Sequence, residues 1–332
     1  MCNVMTYKKM MKQNLVIFLF SSLSLSACAK PDATQHTSTP VTKKNLSSEQ
    51  QKQLQQLLEK TKKNLIFVKG GSFKMGDFGP EHSIDKLPYD SNGDSKPLHK
   101  VTLDDFYLSA TKATYADFDV YTDVTGQQKV GRFDEYSIKE RVPEAAAGIN
   151  WQQARNYCQW LGTQLNLKMD LPTEAQWEYA ARNRGQYILY PTDNGKIDNG
   201  RNVWSFDQRQ QAQEKFKVYK DISLLRQFPP TPLGLYDMIT DNYEWMLDWY
   251  DPEYYSKSPE KNPQGPNTGT LKVVRSSATD DGQNMRMVGN GLTIQRHAID
   301  PMADPELVKE SKNQKYYFDL NLNNSVRCAA NP

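Results

Sequence analysis

The sequence predicts an α+β domain with unusually little regular structure, and three observations carry that prediction. Two stretches near the middle have complete helix starts, Asn150 with Gln153 and Thr173 with Gln176, each a capping residue followed three positions later by Gln. Short apolar runs of strand character, Leu65-Ile66-Phe67-Val68 and Val101-Thr102-Leu103, precede them. Beyond Gly185 the helical signals thin out and Gly, Asn, Asp and Pro dominate. Such a half must be held by aromatic packing, side-chain hydrogen bonds, a disulfide or bound ions. A chain of 332 residues with 11% aromatics has room for a sizeable core. Its net charge of +2 offers no basic surface, so no nucleic-acid partner is expected.

The N-terminal region reads differently from the rest. Lys8, Lys9 and Lys12 precede the apolar run Leu15-Val16-Ile17-Phe18-Leu19-Phe20, and Leu25-Ser26-Ala27 leads into Cys28. The run is shorter than the roughly 20 apolar residues that span a bilayer. It is similar to a bacterial lipoprotein signal, so residues 1–28 are expected to be a signal peptide, with Cys28 taking the lipid. Ala29 after that cysteine resembles outer-membrane sorting, which implies an envelope protein anchored by lipid and facing the periplasm. Residues 29–64 then read as a tether followed by a short amphipathic helix. The tether is rich in Pro, Thr, Ser and Gln with almost nothing to bury, and the helix starts at Ser48 with Leu54, Leu57 and Leu58 at helical spacing. With Cys2 in the signal and Cys28 lipidated, Cys158 and Cys328 remain. An exported compartment favours a disulfide over two free thiols.

The folded domain is expected over residues 65–332. After the strand Leu65 to Val68, the glycines of Gly70-Gly71-Ser72-Phe73-Lys74-Met75-Gly76 imply a hairpin with close backbone approach. Pro97 to Leu103 is the next strand. Thr114 caps a helix carrying Tyr115, Phe118 and Tyr121, and Gly126 ends it. In the helix that starts at Asn150, Trp151, Ala154, Cys158 and Leu161 share one face, and Gly162 is expected to stop it. The helix after Pro172 and Thr173 turns Trp177 inward, and Arg182 and Arg184 complement its C-terminal dipole. Pro259 to Gly269 is a loop, because each Pro removes a ladder donor.

Gly234 to Trp249 organises the chain. A tight turn carries Asp237 and Glu244 on either side of exposed carbonyls and runs into alternating aromatics. One reading is an oxygen cage for a hard cation. The other is an edge strand with its acids in water.

Several blocks in one order resemble the sulfatase-modifying factor, or formylglycine-generating enzyme, family. They are Gly70 to Gly76, Asn150-Trp151 with Ala154 to Gly162, Leu171-Pro172-Thr173-Glu174-Ala175-Gln176-Trp177-Glu178-Tyr179-Ala180-Ala181-Arg182, Gly234 to Trp249, Asn262 to Gly269, and Ser325-Val326-Arg327-Cys328-Ala329. The resemblance implies a C-type-lectin-like fold. It implies a structural Ca²⁺ held by Asp237, Glu244 and the carbonyls of Thr240 and Asn242, as suits an ion that takes six to eight oxygens. It also implies a disulfide joining Cys158 to Cys328. A second calcium site would use Asn202 and the carbonyl of Val203, with further ligands near Lys217 and Tyr219, where a family acid is replaced.

The same resemblance places the chemistry after Arg275, where the family needs a copper-binding cysteine pair. Here Arg275-Ser276-Ser277-Ala278-Thr279-Asp280-Asp281-Gly282-Gln283-Asn284-Met285-Arg286 has no Cys, and two glycines have become Ser276 and Ser277. No copper is therefore expected. Lys112 stands for a family acid, Asp170 for an Arg and Thr240-Asp241 for Gly-Asn. The four histidines, His36, His82, His99 and His297, are scattered without ligand spacing. The expectation is a non-catalytic envelope lipoprotein that binds a protein or glycan partner, for example as an immunity or assembly factor. The alternative is an oxidoreductase-type enzyme with altered metal chemistry, built from Arg275, Asp280, Asp281, Arg286 and His297.

Overall fold

In the computed structural model, the described residues of the domain form three small sheets clasped by helices. The structure describes residues 46–131, 141–218, 222, 224–239, 242–276, 291–301 and 324–332. Lys43–Pro332 forms one compact unit. The expected signal, Cys28 and the expected tether lie outside the described residues. Among the described residues, no helix is long and apolar enough to cross a membrane.

Helix α1, Ser48–Asn64, begins where its sequence suggests and is capped by Ser47 in a reciprocal box with Gln50. It is docked. Leu57 is buried in the main aromatic cluster, and the Lys60 ammonium lies 2.7 Å from Asp117 of the third helix. Strand β1, Leu65–Val68, and β2, Gly71–Met75, flank Gly70 but do not pair with each other, so the predicted hairpin does not form. Close approach explains the glycine: a Cβ at Gly70 would sit 2.3 Å from the Leu103 carbonyl oxygen. A four-residue helix, α2, spans Gly79–His82. Strand β2 pairs antiparallel with β3, His99–Leu103, while β1 pairs with β4, Phe106–Ser109.

Helix α3, Tyr115–Thr125, has the predicted Thr114 cap and a left-handed Gly126 at its end. Helix α4, Trp151–Leu165, runs past Gly162 and ends at left-handed Asn166. Gly162 serves packing instead of termination. A Cβ there would lie 2.7 Å from the Leu167 carbonyl oxygen and 3.0 Å from Met169 of strand β5, Lys168–Asp170. Cys158 faces inward as expected and forms a disulfide with Cys328, across 170 residues of sequence. That bond fixes α4 to strand β10, Ala329–Asn331, which lies between β4 and β5 in the order β1-β4-β10-β5.

Helix α5, Glu174–Ala181, is capped by Thr173 and Gln176 and is buried on every side. Sequence reading missed helix α6, Phe206–Phe216, although Ser205 and Gln208 form the same capping box. The last sheet has the order β8-β7-β6-β9, from β6, Tyr243–Trp249, β7, Lys272–Arg275, β8, His297–Ile299, and β9, Asn324–Ser325. Strand β6 is therefore interior, which excludes the edge-strand reading. Glu244 and Asp248 are buried on the opposite face from Trp245. The loop containing Asn262 is pinned across β3, with the Asn262 N–H donating to Thr102 O and its amide donating to Asp104.

Candidate functional site

The turn into β6 is built by local hydrogen bonding. Gly234 adopts φ +87°, its N–H donates to Thr231 O at 2.8 Å, and the Leu235 N–H donates to the Thr231 hydroxyl. The Tyr236 N–H then donates to Ala110 O at 2.8 Å, tying the turn to the end of β4. Asp237 is left-handed at φ 56°, and its carboxylate accepts the Arg226 N–H.

Seven residues on, Glu244 is fully buried. Its Oε2 accepts from Trp177 Nε1 at 2.9 Å and from Arg327 Nε at 3.0 Å, and its Oε1 accepts from Arg327 Nη2 at 3.0 Å. Arg327 also donates to the carbonyls of Ser109, Ala110 and Tyr236, so one guanidinium joins β4, the turn and β6. The ammonium of Lys112 lies 2.8 Å from the Asp237 carbonyl oxygen and 3.4 Å from Glu244 Oε1. Burial drives the Glu244 pKa upward, but Arg327 and Lys112 outweigh it and hold the carboxyl below its usual range.

Of the residues expected to hold calcium, Asp237 and Glu244 are thus brought together around the ammonium of Lys112. Asn242 is buried just before β6, and Thr240 lies outside the described residues. A divalent ion about 4 Å from an ammonium would be repelled by about 8 kcal/mol at an effective dielectric of about 20. In the second region where the resemblance implies calcium, the Asn202 side-chain oxygen accepts the Asp198 N–H at 2.8 Å, and a cation, Arg201, lies close by. Arg201 forms a fork on Asp193 at 2.8 and 3.1 Å and reaches Asp198 at 2.6 Å. The Asn202 amide donates to Asp193, and the Val203 carbonyl accepts the Gly200 N–H. Lys217 is the left-handed C-cap of α6, and Tyr219 lies outside the described residues.

The other centre is built around Arg275 itself. Glu174, Glu178 and Arg182 repeat every four residues along α5 and so share one face. They form an alternating chain with two arginines from neighbouring elements. Arg182 contacts Glu178 Oε1 at 2.8 Å, Glu178 Oε2 contacts Arg275 at 2.9 Å, and Glu174 Oε1 takes both Arg275 and Arg296 at 2.8 Å. Arg182 sits at the C-terminal end of α5, where a cation was expected, and its charge is also held in this chain. It is fully buried and stacks over Phe78 at 4.5 Å. Asp248 extends the chain by accepting the Glu174 N–H at 2.8 Å. Burial, then the charge of Glu174, pushes Asp248 up to about 7. A separate cation, Lys272, lies between the rings of Trp151 and Trp249 at 4.0 and 3.7 Å, and burial lowers it to about 8.

Two of the five catalytic candidates fall within the described residues. Both terminal nitrogens of Arg275 are held in the buried chain, by Glu174 and Glu178. The His297 ring packs tilted against Tyr243 with ring centroids 4.8 Å apart, and burial, with Arg275 nearby, lowers its pKa to about 4. Asp280, Asp281 and Arg286 lie outside the described residues. Ser276, where the resemblance expects glycine, is buried in a left-handed conformation at φ 77°. His82 and His99 have structural partners, Tyr89 OH at 2.9 Å and Pro97 O at 3.0 Å.

The sequence blocks are thus the packing and ion-pair framework of the fold. Residues 50–296 match the model of the sulfatase-modifying factor enzyme 1-like domain. The chain belongs to that family. Among relatives of the sulfatase-modifying factor family, the formylglycine-generating enzyme of Streptomyces coelicolor is 26% identical over 259 residues, covering 64% of this chain and 77% of that enzyme. Serine/threonine-protein kinase pkn1 of Chlamydia pneumoniae is 27% identical over 229 residues, and the chain spans only 32% of that kinase's length. Inactive C-alpha-formylglycine-generating enzyme 2 of Bos taurus is 33% identical over 116 residues, covering 34% of this chain and 36% of that protein. PvdO from Pseudomonas aeruginosa shares the fold, with a TM-score of 0.54 at 21% identity over 81% of this chain and 94% of PvdO.

Proposed function

We propose that this chain is a non-catalytic member of the sulfatase-modifying factor family that binds a protein or glycan in the bacterial envelope. One observation carries the reading. The two cysteines within the domain are joined to each other, and the stretch after Arg275 has serines and no cysteine. No thiolate pair is left there for the copper chemistry that the family resemblance implies. The buried face of Arg275 is filled by Glu174 and Glu178, which gives that residue a structural task.

A binding role is supported by an open groove of about 790 Å³ lined by Asp104, Asp105, Asp170, Gln176, Asn262 and Gln264. Carboxylates and amides of this kind hydrogen-bond sugar hydroxyls or an extended peptide backbone. The C-type-lectin-like character of the fold belongs to this reading, as do the lipid on Cys28, the outer-membrane anchor and the periplasmic orientation. An immunity or assembly factor for an envelope-acting machine is the concrete form proposed.

The test uses the exported domain with its disulfide intact. Metal analysis is expected to find no stoichiometric copper or iron, and a sulfatase-type cysteine peptide should remain unconverted when copper and oxygen are supplied. Affinity capture from envelope extracts and glycan arrays should yield a ligand whose binding is lost in Asp105→Lys. Stoichiometric iron or copper with oxygen consumption would replace this proposal with the altered oxidoreductase built around Arg275, Asp280, Asp281, Arg286 and His297.

A further inference from the structure

We propose that the ammonium of Lys112 takes the place of a metal ion between Asp237 and Glu244, so that this part of the fold is held by a cation of its own chain and binds no calcium. Three observations carry the proposal. The Lys112 side chain is fully buried, and its Nζ touches the Asp237 carbonyl and lies in ion-pair range of Glu244. The remaining Glu244 valences are taken by Arg327 and Trp177, so both of its oxygens already accept from donors. The Asp237 carboxylate accepts the Arg226 N–H, a bond that orients it toward the backbone.

Charge balance points the same way. Among the described residues, the carboxyls of Asp237 and Glu244 face two cations, Lys112 and Arg327, although burial pushes the Asp237 pKa upward. A calcium ion added to this set would be repelled by both cations and would have to displace Lys112 from its carbonyl. Lysine suits the task because its ammonium is a compact point charge with three donors, able to collect carbonyl and carboxylate oxygens from several directions as a small metal ion does.

The test is thermal unfolding and equilibrium dialysis of the whole exported domain. Wild type is expected to keep the same Tm in chelator and in millimolar calcium, and to retain no calcium on dialysis. Lys112→Ala removes the internal cation but leaves the oxygens. It is expected to melt lower, and saturating calcium should raise its Tm by at least about 5 °C. A stoichiometric calcium retained by wild type, with a Tm that falls on chelation, overturns the proposal. That measurement needs only the native chain and stands even if Lys112→Ala does not fold. Lys112→Ala with wild-type Tm and no calcium response would overturn it as well.

Discussion

Asp248→Asn isolates one buried proton. Asp248 accepts the Glu174 N–H at 2.8 Å, and Glu174 is in turn held by Arg275 and Arg296. The two arginines keep the charge on Glu174, so Asp248 retains its proton. Its pKa rises from 3.8 to about 7, through burial first and the Glu174 charge second. Between those values the native state holds a proton that the unfolded chain has released, so stability falls as pH rises. At about 1.36 kcal/mol per pH unit, the full loss is about 4 kcal/mol, complete above pH 7. Asparagine keeps the acceptor for the Glu174 N–H and removes the titration. Urea unfolding should give similar stabilities for wild type and Asp248→Asn near pH 4, and an advantage for the variant of about 2–4 kcal/mol near pH 8.5. Parallel stability profiles from pH 4 to 8.5 would refute the assignment.

Replacing Cys158 and Cys328 by serine should cost about 5 kcal/mol, from the entropy of opening a loop with 170 residues of separation. Denaturant unfolding measures the loss, and native protein should resist thiol reagents at both positions. Arg275→Met leaves Glu178 and Glu174 short of a buried partner and should cost about 3–5 kcal/mol. Adding Glu178→Gln should recover part of that cost in a double-mutant cycle, and additive losses would deny the coupling. Gly162→Ala should destabilise by about 1–3 kcal/mol although alanine is the better helix former, because its Cβ would press on Leu167 O. His297 should stay neutral from pH 8 down to pH 5, with ring protons that shift only as pH approaches about 4.

Capping residues and apolar spacing are local signals, and they located most helices. Thr114, Asn150 and Thr173 cap the helices predicted from them, because each bonds to a backbone N–H three residues away. Ser205 and Gln208 carried the same signal for α6 and were obscured by the polar, loop-like composition around them. Gly70 was legible as a point of close backbone approach, and Gly162 only as a special position. A glycine that ends a helix and one that admits a neighbouring carbonyl read alike until the neighbour is in place.

Composition, capping boxes and ordered blocks by themselves determined an α+β domain of the sulfatase-modifying factor type, with Cys158 and Cys328 left to pair and no cysteine after Arg275. Only the tertiary structure decided what the charged residues do. Spacing sets Glu174, Glu178 and Arg182 four residues apart and Asp237 and Glu244 seven apart, without showing what faces them. Arg275, Arg296, Arg327 and Lys112 reach them from sites 100 or more residues distant in most cases, as in the separations of 101 from Glu174 to Arg275 and 125 from Lys112 to Asp237. A charge's partner depends on which distant segments the core brings together, and local sequence does not encode that distance.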